Sequence, residues 1–342
     1  MRALGAPFRA RLGANESGFG PSPKAVVAMR DTAPEAWLYG DSECHDLRLA
    51  LAEFHELGIE NISVGEGIDG LLGVLVRMLV APGDPVVTSD GAYPTFNYHV
   101  TGHGGVLHKV PYRDDHEDPT ALLVRAEDVG AKLLYFCNPD NPMGSWHSAR
   151  IVERMIEAVP EGTLMVLDEA YIDAAPPGTA PAIAADDPRV IRLRTFSKLY
   201  GLAGLRVGYA IGAAPLIAKF DRVRNHFGVG RLAQAGALAG LRDQDWLTHV
   251  QAELSAARAR LGQIALSHGL HPLPSATNFV TIDCGRDGAY ARRIVEAMMA
   301  RGVFIRMPFV APHDRCIRVS AGPAQELDVF EETLGPVLDA LR

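Results

Sequence analysis

Arg194-Thr195-Phe196-Ser197-Lys198-Leu199-Tyr200-Gly201-Leu202-Ala203-Gly204-Leu205-Arg206-Val207-Gly208 is the stretch from which the rest of the chain is read. It follows an apolar run, Val190-Ile191-Arg192-Leu193. A strand is therefore expected to deliver Thr195, Ser197 and Lys198 into a glycine-rich turn, with Arg206 arriving one short loop later. Lysine forms imines when its amine is desolvated or its charge is disfavoured, and hydroxyls with an arginine supply the donors that a phosphate dianion needs. Pyridoxal phosphate (PLP) needs both kinds of group in one place.

Two further apolar runs end in polar residues. The run 132–137 terminates in Asn138-Pro139-Asp140-Asn141-Pro142-Met143-Gly144, and the run 163–167 terminates in Asp168-Glu169-Ala170-Tyr171. Both read as buried parallel strands, and ligands of open α/β sheets collect at the carboxyl ends of such strands. An aspartate closing an apolar strand is costly unless paired, and a protonated pyridine nitrogen is a suitable partner for Asp168. No G-x-x-x-x-G-K-[ST] loop accompanies the Asp-Glu pair, which argues against a nucleotide-bound magnesium site.

A third strand, 61–64, runs into Gly65-Glu66-Gly67-Ile68-Asp69-Gly70 and an apolar helix over 71–80. Free N–H groups at a helix start face phosphates, so Gly65 and Glu66 are expected to bind one. The same letters spell G-x-G-x-x-G, and Asp90 follows about twenty residues on, at the end of a strand over 85–89. An NAD-dependent oxidoreductase is thus the main alternative, although it leaves Thr195, Ser197, Lys198 and Arg206 unexplained.

Ser197-Lys198 with Gly204-Leu205-Arg206-Val207-Gly208 resembles the lysine motif of the PLP-dependent class I/II aminotransferases of fold type I, and within them the histidinol-phosphate aminotransferases. The likeness runs from Asn15-Glu16 to Arg318 and includes the Asn141-Pro142-x-Gly144 core. It implies an α/β fold: a large domain (45–240) with a mostly parallel seven-stranded sheet, and a small α+β domain built from 1–44, an N-terminal arm, and 241–342. It also implies a homodimer with shared active sites. Lys198 would hold the cofactor and carry protons. Asp168 would face the pyridine nitrogen, Asn141 and Tyr171 the phenolic oxygen, and Thr195, Ser197 and Arg206 the phosphate. Phe96 would stack on the ring, and Tyr39 would reach the cofactor of the neighbouring subunit. Arg318 would grip the acidic end of the substrate, with Arg306 as a second contact and Asn15 beside them on the arm. The implied reaction moves an amino group between an anionic amine, an amino acid or histidinol phosphate, and a 2-oxo acid. A PLP-dependent decarboxylase of a phosphorylated amino acid is a second alternative. The chain departs from the family pattern at Leu38, where arginine is usual, at Gly40, where proline is usual, and at Met143, where a hydroxyl residue is usual.

Composition narrows the partners. A net charge of -8 without a basic cluster argues against nucleic acid, and no apolar stretch reaches the length of a membrane helix, so a cytoplasmic enzyme is expected. Cys44, Cys137, Cys284 and Cys316 lack paired spacing, which suits reduced thiols rather than disulfides or zinc. His99 and His103 are read as packing or surface residues, because Gly102, Gly104 and Gly105 break any helix there. After the lysine region, helices are expected over 215–225, 232–241 and 243–268. Strands and helices then alternate over 277–283, 288–301, 303–306, 316–320 and 325–341.

Overall fold

The computed structural model of the protein describes residues 7–341. A two-residue strand β1 (Ala10–Arg11) and helices α1 (Pro23–Thr32) and α2 (His45–His55) lead into seven strands of one sheet. These are β2 (Ile62–Gly65), β3 (Pro85–Ser89), β4 (Val106–Val110), β5 (Leu133–Cys137), β6 (Leu164–Asp168), β7 (Val190–Thr195) and β8 (Gly208–Ile211). Their spatial order is β2-β8-β7-β6-β5-β3-β4, and every pairing is parallel except those of β8. The expected mostly parallel seven-stranded sheet is therefore present, and β5, β6 and β7 end on one edge.

Both faces of this sheet are covered, which is why its central strands read as unbroken apolar runs. Leu133, Tyr135, Leu164, Val166, Ile191 and Leu193 pack on one face with α3 (Gly67–Leu79), α4 (Pro94–Gly102) and α7 (Ala214–Phe220). Leu134, Phe136, Met165 and Leu167 point the other way, against α5 (Pro119–Val129) and α6 (Ala149–Glu157). The caps of α5 are written in its sequence. The Asp118 carboxylate accepts the N–H groups of Thr120 and Ala121, Pro119 opens the helix, and Gly130 closes it in the left-handed conformation. Helix α4 runs through His99 and stops at Gly102, so glycine ends this helix rather than preventing it.

A third core joins α1 and α2 to α8 (Arg231–Leu241), the long helix α9 (Gln244–Ser267), α10 (Gly288–Ala300) and α11 (Ala324–Ala340). With them lie β9 (His271–Pro272), β10 (Phe279–Asp283), β11 (Val303–Phe304) and β12 (Cys316–Ser320). The N-terminal segment is sewn into this C-terminal part. β1 pairs in parallel with β11, the Leu12 N–H donates to the Phe304 carbonyl at 2.8 Å, and the Ser320 N–H donates to the Leu12 carbonyl at 2.7 Å. All four cysteines are free and buried. Among the described residues no helix is long and apolar enough to cross a membrane, and no cluster could hold a metal ion.

The dinucleotide reading of Gly65–Gly70 does not survive the topology. β2 is an edge strand whose one neighbour, β8, runs antiparallel, whereas a dinucleotide crevice opens beside a parallel strand inside the sheet. Asp90, the expected ribose partner, is instead paired with Lys109 at 3.1 Å.

Candidate active site

A cavity of about 320 Å³ at the carboxyl edge of β5, β6 and β7 is lined by Asn15, Asn141, Asp168, Tyr171, Thr195, Ser197, Lys198, Arg206, Arg306 and Arg318. Where β7 ends, Thr195 Oγ1 accepts the Ser197 N–H at 3.0 Å and lies 2.9 Å from the Ser197 hydroxyl. Arg206 Nη1 donates to Ser197 Oγ at 3.1 Å. The guanidinium reaches this point by lying against Gly67, the first residue of α3. A Cβ there would stand 2.4 Å from Arg206 Nη2 and displace the guanidinium, and the backbone φ of +74° favours glycine. Ile68 and Asp69, in the first turn of α3, complete the wall. Two hydroxyls, a guanidinium and a helix N-terminus thus meet in one cavity, an arrangement suited to a phosphate.

Lys198 Nζ donates to the Asn15 carbonyl at 3.4 Å and lies 5.2 Å from the centre of the Tyr171 ring. Burial, followed by the charge of Arg318, pushes the ammonium down to about 8. Asp168 is 2% exposed and faces the same cavity. Its Oδ2 accepts the Tyr135 hydroxyl at 2.6 Å and its Oδ1 accepts the Ala170 N–H at 2.9 Å, yet burial still raises the carboxyl to about 6. The Tyr171 hydroxyl accepts from Asn15 Nδ2 at 3.1 Å, and burial raises the phenol above its ordinary range. Asn15 adopts the left-handed conformation, which asparagine tolerates, and so presents both its carbonyl and its amide to the site. The lysine turn also fits directly against the arm: a Cβ at Gly201 would stand 2.3 Å from the Gly20 carbonyl oxygen.

The two arginines are brought side by side by their backbones. The Arg318 N–H donates to the Arg306 carbonyl at 2.7 Å, and the Arg306 N–H donates to the Arg318 carbonyl at 3.2 Å. Arg318 Nη1 donates to Asn141 Oδ1, and its guanidinium lies 5.2 Å from the centre of the Phe279 ring. Its Nε is buried with no hydrogen-bond partner. Arg306 is exposed and lies over the Phe304 ring at 5.6 Å. Neither joins an ion pair among the described residues. Two cations at one cavity, one of them with an unsatisfied buried donor, ask for an anion.

Of the expected residues, Phe96, Gly65 and Glu66 lie outside the cavity. Phe96 is fully buried and stacks on Tyr135, with ring centroids 4.6 Å apart, because it falls on the inner side of α4. The aromatic residue of this segment that lines the cavity is Tyr93, which caps α4 from outside. Phe96 therefore backs Tyr135, which in turn holds Asp168. Gly65 and Glu66 precede the helix start rather than forming it. Gly65 is buried in β2 opposite Gly208, and the Glu66 carboxylate accepts from Asn225 at 3.0 Å, whereas Ile68 and Asp69 line the cavity. Tyr39 is 80% exposed, outside the cavity of its own chain, with its ring 4.8 Å from that of Phe227.

Residues 10–334 match the family model of aminotransferase class I and II. The chain is 34% identical over 344 residues to the histidinol-phosphate aminotransferase of Moorella thermoacetica, covering 99% of this chain and 88% of the relative. It is also 34% identical over 330 residues to an aromatic amino acid aminotransferase of Nocardia farcinica, covering 95% and 90%. Among solved structures it is similar to the histidinol-phosphate aminotransferase of Sinorhizobium meliloti in complex with pyridoxal-5'-phosphate. That likeness has 52% identity and a TM-score of 0.99 over 100% of this chain and 94% of the other.

Proposed function

The chain belongs to the class I and II aminotransferases, enzymes that depend on PLP, and from that membership we propose that its amine substrate is a phosphorylated one of the histidinol-phosphate kind. One observation carries this reading: Arg306 and Arg318 are held side by side at the cavity without carboxylate partners, and Arg318 keeps a free Nε. A phosphate dianion carries the charge to match both guanidiniums, whereas a single carboxylate matches half of it.

The cavity suits the cofactor on its own terms. Arg206 and the Thr195 and Ser197 hydroxyls, beside the N-terminus of α3, are donors for its phosphate, and Asp168 is a buried carboxylate without a cation. When bound, PLP supplies an electrophilic carbon and an electron-withdrawing ring. Asp168 would hold the ring nitrogen in its protonated form. Asn141 and Tyr171, the latter oriented by Asn15, would face the phenolic oxygen, and Tyr93 would cover the ring. Lys198 Nζ, its ammonium weakened by burial, is the atom that takes a proton from the amine's α carbon and would carry it to a second carbon centre. The Asn15 carbonyl, 3.4 Å away, is an acceptor that steers it.

We also infer a homodimer with a shared site. Trp37 and Tyr39 are 81% and 80% exposed, and together with Phe227 they give a large aromatic surface that a second copy would cover. Sedimentation of Tyr39→Ala and of the parent should show dimers, with cofactor affinity reduced in the variant. A monomeric, fully active parent overturns this reading.

The substrate is tested by single-turnover half-reactions of the holoenzyme, followed by the loss of cofactor absorbance, with histidinol phosphate, histidinol, phenylalanine and aspartate. The expected order places histidinol phosphate about a hundredfold above histidinol in kcat/KM, the worth of a charge-assisted contact of roughly 3 kcal/mol. A preference for phenylalanine or aspartate over histidinol phosphate overturns the assignment.

A further inference from the structure

Two buried acids stand behind the turn that carries Asn141. Glu117, just before α5, and Asp140, just after β5, are 2% and 1% exposed, and no ion pair joins either to a cation among the described residues. All four of their oxygens accept hydrogen bonds. Ser89 Oγ donates to Glu117 Oε2 at 2.8 Å and the Cys137 N–H to Glu117 Oε1 at 3.2 Å. The Tyr112 hydroxyl donates to Asp140 Oδ1 at 2.8 Å and the Met143 N–H to Asp140 Oδ2 at 2.9 Å. The two carboxyl groups are near enough to act on each other's ionisation. Two neighbouring buried carboxylates without a cation do not both ionise, so the pair keeps one proton.

We propose that Glu117 and Asp140 form a one-proton acid pair that positions Arg318 for the substrate's anion, acting through the Asn141 turn. The proposal rests on the reading of Arg318 given above. Glu117 is the donor: burial and then the charge of Asp140 push its carboxyl far up. Burial also lifts Asp140, but only to about 6, because the Met143 N–H, the Tyr112 hydroxyl and the Glu117 proton favour its anion. One negative charge therefore resides on Asp140 at neutral pH. That residue closes the turn with both backbone groups, its N–H donating to the Ser145 carbonyl at 2.8 Å and its carbonyl accepting the Gly144 N–H at 3.1 Å. The next side chain, Asn141, accepts from Arg318, and the charge of Asp140 acts on that guanidinium. The other titratable groups facing the pair are Tyr112, His116, Cys137 and His147, whose Nε2 bonds the Glu117 carbonyl at 2.8 Å. His313 stands edge-on to Tyr112 with centroids 4.5 Å apart. Burial holds His147 and His313 below the ordinary histidine range, so neither brings a cation at neutral pH.

Infrared spectroscopy of the holoenzyme at about pH 8 should show a deuterium-sensitive band of a protonated buried carboxyl, absent from Glu117→Gln. If no such band exists, or if it survives in Glu117→Gln, the pair is wrong whatever Arg318 does. Kinetics with histidinol phosphate test the positioning. Glu117→Gln and Asp140→Asn each leave one acid to carry the single charge, so KM should stay within about threefold. The double variant leaves none, and its KM should rise about tenfold with kcat little changed. Tyr112→Phe removes a donor that favours the Asp140 anion, so the pH below which KM climbs should move upward. This variant decides the matter if the double variant does not fold. Arg318→Lys is run beside them. If it raises KM while neither the double variant nor Tyr112→Phe alters KM or its pH profile, the positioning role is overturned and the Arg318 reading stands. If Arg318→Lys itself leaves KM unchanged, the Arg318 reading falls and the proposal falls with it.

Discussion

Asp168 and Glu169 are adjacent, equally buried and chemically alike, yet they sit in opposite electrostatic worlds. Strand alternation sends them to opposite faces of the sheet. Glu169 Oε1 accepts Arg192 Nη2 at 2.6 Å, and its Oε2 accepts Arg192 Nε and Arg194 Nε, each at 2.9 Å. Burial works to raise this carboxyl, but the two arginines together hold it below its ordinary range. Asp168 has two hydrogen-bond donors and no ion-pair partner among the described residues, and it rises to about 6. The arginines divide in the same way: Arg192 and Arg194 are matched, whereas Arg318 keeps an unpartnered Nε. Around Glu169 the chain completes its own charges. On the cavity face it leaves them incomplete, and the missing complement describes the cofactor and substrate.

The strongest way to break this contrast is Lys198→Ala. Turnover should vanish while the protein stays folded, since the lysine contributes chemistry and costs burial. Borohydride reduction of the parent followed by peptide mapping should place the pyridoxyl label on Lys198, and a label on any other lysine removes the assignment. Asp168→Asn comes next. Proton abstraction in a single turnover should slow by about a thousandfold or more, because an amide does not hold the ring nitrogen protonated. The same substitution should stabilise the cofactor-stripped protein. Between about pH 4 and 6 the folded state keeps a proton on Asp168 that the unfolded chain has released, so this stability is complete below about 4 and lost as pH rises through about 6. At pH 8 the variant should therefore gain roughly 1–3 kcal/mol in urea unfolding, with the gain disappearing below pH 4. Equal stability of parent and variant at pH 8 would mean that Asp168 is compensated after all.

Glu169→Gln is the mirror experiment. Two buried guanidiniums lose their anion, so urea unfolding should show a loss of about 3–5 kcal/mol, while single-turnover rates of the folded variant stay close to the parent. A large rate defect with little loss of stability would erase the distinction between the faces. The smallest effects sharpen the cavity side. Arg318→Lys should cost about 2–4 kcal/mol in kcat/KM for every anionic amine, and Arg306→Lys about 1 kcal/mol, confined to phosphorylated ones. Equal, small losses from both would mean that neither touches substrate.

The readable part of the site is the part that terminates apolar runs. Asn141, Asp168 and the Thr195–Lys198 turn each follow a strand covered on both faces, and such strands announce their ends. Helix phase was the harder matter. Tyr93 and Phe96 are aromatics three residues apart, and only the start of α4 at Pro94 decides which one faces the cavity; proline at the first helical position was the available signal. The start of α3 was expected four residues late, because the left-handed backbone of Gly67 that opens the helix is not legible in its spelling. Helix α5 is legible only through its ends, which Asp118-Pro119 and Gly130 mark. Strand β4 is hard to read because an edge strand with exposed side chains has a weak apolar pattern. The partnership of Tyr135 with Asp168 depends on sheet register, which no local pattern contains.

The contact between Gly201 and the Gly20 carbonyl has a consequence for how variation would be distributed along this chain. No side chain fits there and the backbone φ is +69°, so the lysine turn and the arm interlock through bare main chain. In a saturation scan Gly201 should tolerate as few replacements as Lys198, although it performs no chemistry. The two would separate only by what is lost: folding for the glycine, the imine and turnover without folding for the lysine.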